Sequence, residues 1–226
     1  ERWVRDILDR FEAEMGVPAA DRAAAGGADL RFSQTLTMVC SVPGLLRTPP
    51  EQRRLPPGTV FIGSPAGLRR TPAADFPWDW LDQGRARLLV SLGTVTREAG
   101  SRFLRAAAEG VLTLTHRLQT VLVAPPGIAD DLAAAAPADL LVRPMVPQLE
   151  LLRRDRLDAI VSHAGNNTVC EALSHGVPLV VAPVRDDQPI IADQVVRAGA
   201  GLRVKFGRVN AAGIATAVTA VLDEPG

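Results

Sequence analysis

The sequence predicts an α/β fold, a Rossmann-like parallel sheet flanked by helices. Three observations carry that expectation. From Arg87 onward, short apolar runs alternate with amphipathic stretches, the signature of repeated βα units. Six such runs are long enough to be strands. The loops that begin at Ser91, Pro144, His163 and Pro183 hold polar or glycine residues where a plain connector would need only a turn. In sheets of this kind, ligands sit outside the carboxyl ends of the strands.

Composition bounds the function classes. A chain of 226 residues, 47% hydrophobic and 22% charged, can bury a substantial core. Its 25 basic and 25 acidic residues cancel, which removes the broad positive field expected of a nucleic-acid or anionic-membrane binder. No apolar run approaches the roughly 20 residues that span a bilayer, and no basic-then-apolar leader opens the chain, so a cytoplasmic enzyme is expected. Cys40 and Cys170 lack the close spacing of a zinc or redox motif and are assigned no chemistry. The chain starts at Glu1 without methionine and stops at Gly226 just after a helical stretch; both ends read as cut edges.

Taken in order, Val4, Ile7, Leu8 and Phe11 mark one helical face over residues 3–15, closed by Gly16 and Pro18. Residues 30–42 alternate as a strand through Leu36, Met38 and Cys40, and a proline-rich stretch then holds a short strand from Val60 to Ile62. A domain boundary is placed near residue 86. Strands are expected at 88–92, 120–124, 140–142, 158–162, 178–182 and 202–205. Helices are expected near 98–117, 128–135, 148–153, 168–175, 188–198 and 210–222.

The run Asp158-Ala-Ile-Val-Ser162 enters His163-Ala-Gly-Asn-Asn-Thr168 and then a helix, so free backbone N–H groups point towards the strand end. A helix start of this kind stabilises an anion by about 0.3 to 1 kcal/mol, and by up to about 2 when partly buried. Gly165 lets the backbone come close, and His163 adds a donor. Glu171, one turn in, suits a ribose diol; Thr168-Val-Cys-Glu171 also fits a capping box, which would make Glu171 purely structural. Asp187-Gln188-Pro189 likewise reads either as a polyol-binding pair or as a helix cap with proline in the first turn.

Met145-Val-Pro-Gln148, His163-Ala-Gly-Asn-Asn-Thr168, Glu171, Gly176-Val-Pro178 and Asp187-Gln188 keep one register: Met145 stands 18 positions before His163 and Asp187 stands 24 after it. This pattern resembles the signature box of family 1 nucleotide-sugar-dependent glycosyltransferases of the GT-B fold, in the bacterial natural-product and macrolide branch. The resemblance is specific over residues 87–226 and loose over 1–86. It implies that 1–59 is a remnant of an amino-terminal acceptor domain, 60–86 an interdomain linker, and 87–226 the carboxyl-terminal donor-binding domain. It also implies an inverting transfer of a hexose from a UDP- or TDP-sugar to a hydroxyl of a small-molecule natural product, as in antibiotic biosynthesis.

The resemblance assigns the nucleotide to Met145, Val146, Gln148 and Glu171. Ser91, Thr94, His163, Gly165, Asn167 and Thr168 would meet the phosphates, and Asp187 and Gln188 the hexose. It implies no metal and no other cofactor, and it leaves a homodimer open. The sequence departs from the family at Met145 and at Asn166, where tryptophans are usual. The catalytic base of the family is a histidine near the start of the amino-terminal domain. None of the three histidines here matches it: His116 is expected within a helix, His163 in the phosphate loop and His175 at a helix end. No catalytic residue is therefore assigned in this chain.

A GT-B sugar-nucleotide 2-epimerase would need an acid and base pair that the loops from Ser91 to Gln188 do not offer. A noncatalytic glycosyltransferase-like partner would not need Asp187 and Gln188. A nicotinamide oxidoreductase would need a Gly-x-Gly-x-x-Gly turn where Ser91-Leu-Gly-Thr94 stands. At the base site, Met145 offers a flexible thioether in place of an indole. Met145→Trp is expected to preserve or tighten nucleotide binding in calorimetric titration, and abolished binding would contradict the placement.

Overall fold

The computed structural model describes residues 2–24, 35–46, 55–56, 58–65, 75–81, 84–93, 100–154 and 157–223. Its centre is a six-stranded parallel sheet: β3 (Ala86–Ser91), β4 (Leu118–Val123), β5 (Leu140–Arg143), β6 (Ala159–Ser162), β7 (Leu179–Val181) and β8 (Gly201–Arg203). The spatial order is β5-β4-β3-β6-β7-β8, the doubly wound order in which the chain reverses direction across the sheet between β3 and β6. Every strand begins and ends within two residues of its expected bounds.

Period-two alternation divides the strand residues between two cores. Leu88, Val90, Leu122, Val142 and Val161 face α3 (Ser101–Leu112) and α8 (Ala211–Asp223), where Phe103, Leu104, Ile214 and Val218 complete one cluster. Leu89, Val121, Ile160 and Val181 face the other way, towards α5 (Gln148–Arg153), α6 (Asn166–Ser174) and α7 (Gln188–Arg197). The strands read as unbroken apolar runs because both faces are covered. Helix α4 (Pro126–Ala134) lies beside β5.

Helix α3 is shorter than expected. Its anticipated first residues, 98 and 99, lie outside the described residues, and it stops at Leu112, where Thr113 turns its hydroxyl back onto the Gly110 carbonyl at 2.8 Å. His116 consequently sits in the turn before β4, which corrects the expectation that it is helical. The amino-terminal part holds α1 (Arg2–Glu14), the short α2 (Ala19–Ala24), and a two-stranded parallel ribbon of β1 (Thr37–Val39) and β2 (Thr59–Phe61). Only three residues of the strand expected over 30–42 are extended in pairing, and residues 30–34 of it lie outside the described residues.

The apolar stripe of α1 is open: Ile7 and Phe11 are 45% and 57% exposed. The ribbon is similar, with Leu36, Met38, Val60 and Ile62 all exposed. No helix among the described residues is long and apolar enough to cross a membrane.

Edge strand β8 depends on a missing side chain. A Cβ on Gly201 would lie 2.0 Å from the Leu179 carbonyl oxygen of the paired strand β7. Gly201→Ala is expected to cost about 3 kcal/mol by forcing the strands apart, the upper part of the usual range for overpacking. Urea denaturation checks this, and a loss well under 1 kcal/mol would show that the β7–β8 gap yields freely.

Candidate nucleotide-sugar site

Where the sheet reverses, Ser91 at the end of β3 is in register with Ser162 at the end of β6. Their two loops therefore leave the sheet side by side. The chain turns from β6 towards α6 through Ala164, which is fully buried and adopts φ 65°, a left-handed conformation unusual for a residue with a Cβ. That turn puts the His163 imidazole between two glycines. A Cβ on Gly93 would lie 2.7 Å from His163 Cε1, and a Cβ on Gly165 would lie 2.6 Å from Nε2. The ring is clamped because neither neighbour has a side chain.

His163 is 7% exposed, and burial holds its pKa below the ordinary value, with the Asp187 carboxylate opposing part of that shift. The imidazole is neutral at pH 7 and keeps one N–H donor. Ser162 Oγ lies 3.5 Å from Nδ1. Gly165 is the N-cap of α6 and contributes no side chain, and the first helix bond runs from Val169 N–H to the Gly165 carbonyl. The first-turn amides of Asn166, Asn167 and Thr168 thus have no partner further back in their helix.

Because α6 starts at Asn166, Glu171 is its sixth residue, too deep to close a capping box with Thr168. Its carboxylate instead accepts the Gln148 amide at 2.8 Å, and the same nitrogen lies 3.5 Å from Thr168 Oγ1. Gln148 opens α5 and Glu171 lies within α6, so the Gln148 amide joins the two helices. Glu171 is 3% exposed.

The loop after β7 is held from inside. The buried Gln188 side chain accepts the backbone N–H groups of Val184 and Arg185 at 2.9 and 3.2 Å. Its oxygen is therefore committed to the loop. Asp186 takes φ 56°, and Asp187 follows as an exposed N-cap of α7 whose carboxylate makes no capping bond. The proline expected in the first turn of this helix is present.

His163, Gly165, Asn167 and Thr168 share one loop and helix start, with Gln148 and Glu171 on the α5 side and Asp187 close enough to His163 to act on its charge. Met145 is 60% exposed and Val146 half-buried. Ser91 is buried, and its hydroxyl accepts its own loop's Gly93 N–H at 3.4 Å. Thr94 lies outside the described residues. Gly93 was legible only as part of the Ser91-Leu-Gly turn; its role against His163 needs the β3–β6 pairing, which no local pattern displays.

Comparison with known proteins gives one consistent result. Residues 50–226 match the family described as UDP-glucoronosyl and UDP-glucosyl transferase. The chain is 38% identical over 178 residues to 4'-demethylrebeccamycin synthase of Lentzea aerocolonigenes, covering 76% of this chain and 39% of that protein. It is 36% identical over 146 residues to the uncharacterized UDP-glucosyltransferase YojK of Bacillus subtilis, covering 65% and 34%. Among solved structures, the glycotransferase of kitacinnamycin superposes with TM-score 0.74 at 26% identity, over 98% of this chain and 54% of its own. Os79 from O. sativa, crystallised with UDP, gives 0.58 at 29% identity over 66% and 35%. The chain spans well under half the length of the curated relatives it matches.

The His163 environment has a pH signature. The folded pKa lies below the unfolded one, so below about pH 6.5 the unfolded chain binds the extra proton first, and stability falls as pH drops through that range. Thermal midpoints measured from pH 7.5 to 5 are expected to decline more steeply in the parent than in His163→Gln. Equal slopes would show that His163 is not buried as described.

Proposed function

Because the chain belongs to the UDP-glucoronosyl and UDP-glucosyl transferase family, we propose that it is the donor-binding half of an inverting glycosyltransferase. In this reading a hexose passes from a UDP- or TDP-sugar to a hydroxyl of a small-molecule natural product. The observation that carries it is the clamped, neutral His163 at the uncapped start of α6.

The pyrophosphate lies on the first-turn amides of α6, with the His163 N–H donating to a phosphate oxygen. The ribose hydroxyls meet the Glu171 carboxylate, which Gln148 already orients. The base lies over Met145 and Val146. The hexose extends towards Asp187, whose carboxylate is not spent on capping, and Gln188 serves by holding that loop in shape.

Transfer builds negative charge on the departing diphosphate, and fixed amide dipoles at a partly buried site stabilise it without reorganising. This assigns the helix start and His163 the part a divalent metal would otherwise take. The base that deprotonates the acceptor belongs to the rest of the protein. The open apolar faces of α1 and of the ribbon are, on this reading, surface that the rest of a two-domain protein covers.

A thermal-shift panel of UDP, TDP, UDP-glucose, NAD and NADP tests the class, since a ligand that binds only the folded state raises its stability. UDP or TDP is expected to stabilise the chain, and stabilisation by NAD alone would sink the reading. Glu171→Ala is expected to weaken UDP about tenfold or more, the weight of a hydrogen bond to a charged group. Asp187→Ala is expected to weaken UDP-glucose far more than UDP. Equal losses for the two ligands would refute these roles.

A further inference from the structure

Just past the amino-terminal ribbon, the Cys40 carbonyl meets the side chains of α6, and the neighbouring Ser41 is hydrogen-bonded to the Cys170 thiol. Strand β1 ends at Val39, and the carbonyl oxygen of the next residue, Cys40, accepts the Asn166 side-chain amide at 3.2 Å. The Cys170 thiol, one turn along α6, points at the same oxygen from 3.8 Å and lies 3.7 Å from Asn166 Oδ1. Residues four apart share a helix face, so α6 grips this carbonyl with two side chains. A few residues on, Leu45 is buried in the core shared with Ile191 and Val195 of α7. The stretch from Cys40 to Leu45 is thus attached to both helices that follow the candidate ligand loops.

Asn166 has two attachments. Its side chain holds Cys40, while its backbone N–H is the first amide of α6, directly after Gly165. An anion seated on the first turn acts on the same residue that grips the ribbon. We propose that Asn166 is a positioning residue that couples occupation of the diphosphate site to attachment of the amino-terminal ribbon, through the Cys40 carbonyl. The proposal rests on the diphosphate site described above. It gives a purpose to a position where the sequence departs from the tryptophan usual in the family. Coupling of this kind is reciprocal: whatever tightens the grip on Cys40 favours the nucleotide, and the nucleotide tightens the grip.

The thiols supply the reporter. Cys40 and Cys170 are the only cysteines, and Cys40→Ser keeps the backbone carbonyl while leaving Cys170 as the sole thiol. Cys170 is 7% exposed and burial raises its pKa, so a disulfide reagent reaches it when the junction opens. In the Cys40→Ser chain, saturating UDP is expected to slow Cys170 modification about fivefold, roughly the weight of one neutral hydrogen bond.

Adding Asn166→Ala is expected to speed modification without UDP by a similar factor and to abolish the protection by UDP, while calorimetry still records UDP binding. Asn166→Ser, which restores a donor, is expected to recover part of the protection and serves as the second variant if the alanine chain folds poorly. Protection of equal size in the parent and in the Asn166→Ala chain, or no more protection in Asn166→Ser than in Asn166→Ala, would mean that UDP acts through global stability, and would overturn the coupling. So would UDP binding with no effect on Cys170 in the parent, which leaves the diphosphate site standing. A parent chain that binds no UDP in calorimetry would remove the site and the coupling together.

Discussion

Leu88 through Ser91 of β3 pair in parallel with Ala159 through Ser162 of β6, and at this seam the sheet order turns. The pairing sets two loops from distant parts of the sequence against one another. Gly93 comes from the first loop, and His163 and Gly165 from the second. A shift of one residue in register would turn the apolar side chains of β6 to the opposite core and carry His163 away from its cleft. The apolar burial of the two cores resists that shift, since Ile160 and Val161 are fully buried on opposite faces. The position of one imidazole is thus held by the packing of the whole sheet.

The buried polar side chains Glu171 and Gln188 near the seam each have a partner. Gln148 faces Glu171, and Gln188 faces the amides of Val184 and Arg185. Each partnership keeps a buried amide or carboxylate from standing unsatisfied, a cost of about 1 to 3 kcal/mol apiece. The groups left outward are the uncapped start of α6 and the Asp187 carboxylate. Donor groups at the start of α6 and an acceptor at Asp187 are thus both close to His163.

Much of this was legible in the sequence. Strands such as Leu88–Val90 and Ala159–Val161 declare themselves because both faces are covered, and the loops that carry Gln148, His163, Glu171 and Asp187 have a fixed register. What could not be read has two causes: helix ends settled by competing local hydrogen bonds, and side chains meeting across long sequence distances. Glu171 was ambiguous until the start of α6 at Asn166 separated it from the cap. Gln188 reads as a hexose-binding group, and the structure adds that its oxygen accepts two amides of its own loop. His116 left the helix because two threonine hydroxyls compete locally with helical bonding at the end of α3. Neither the grip of Asn166 on Cys40 nor the room that Gly93 leaves for the His163 ring has any signature in local composition.

Residues 76–81, ahead of β3, are tied to the sheet by their side chains and backbone. Phe76 and Leu81 are buried in the same core as Leu89 and Ile160. The Trp80 indole donates to the Ala138 carbonyl at 2.8 Å, and Gln119 donates to the Trp80 carbonyl at 3.0 Å. The Arg154 guanidinium lies 4.1 Å from the centre of the Trp78 ring. A hybrid enzyme spliced at the first residue of β3 would discard these side chains and open an apolar hollow beneath β4. A splice placed ahead of Asp75 would carry them along, so the exchangeable unit in this architecture begins with the aromatic strap.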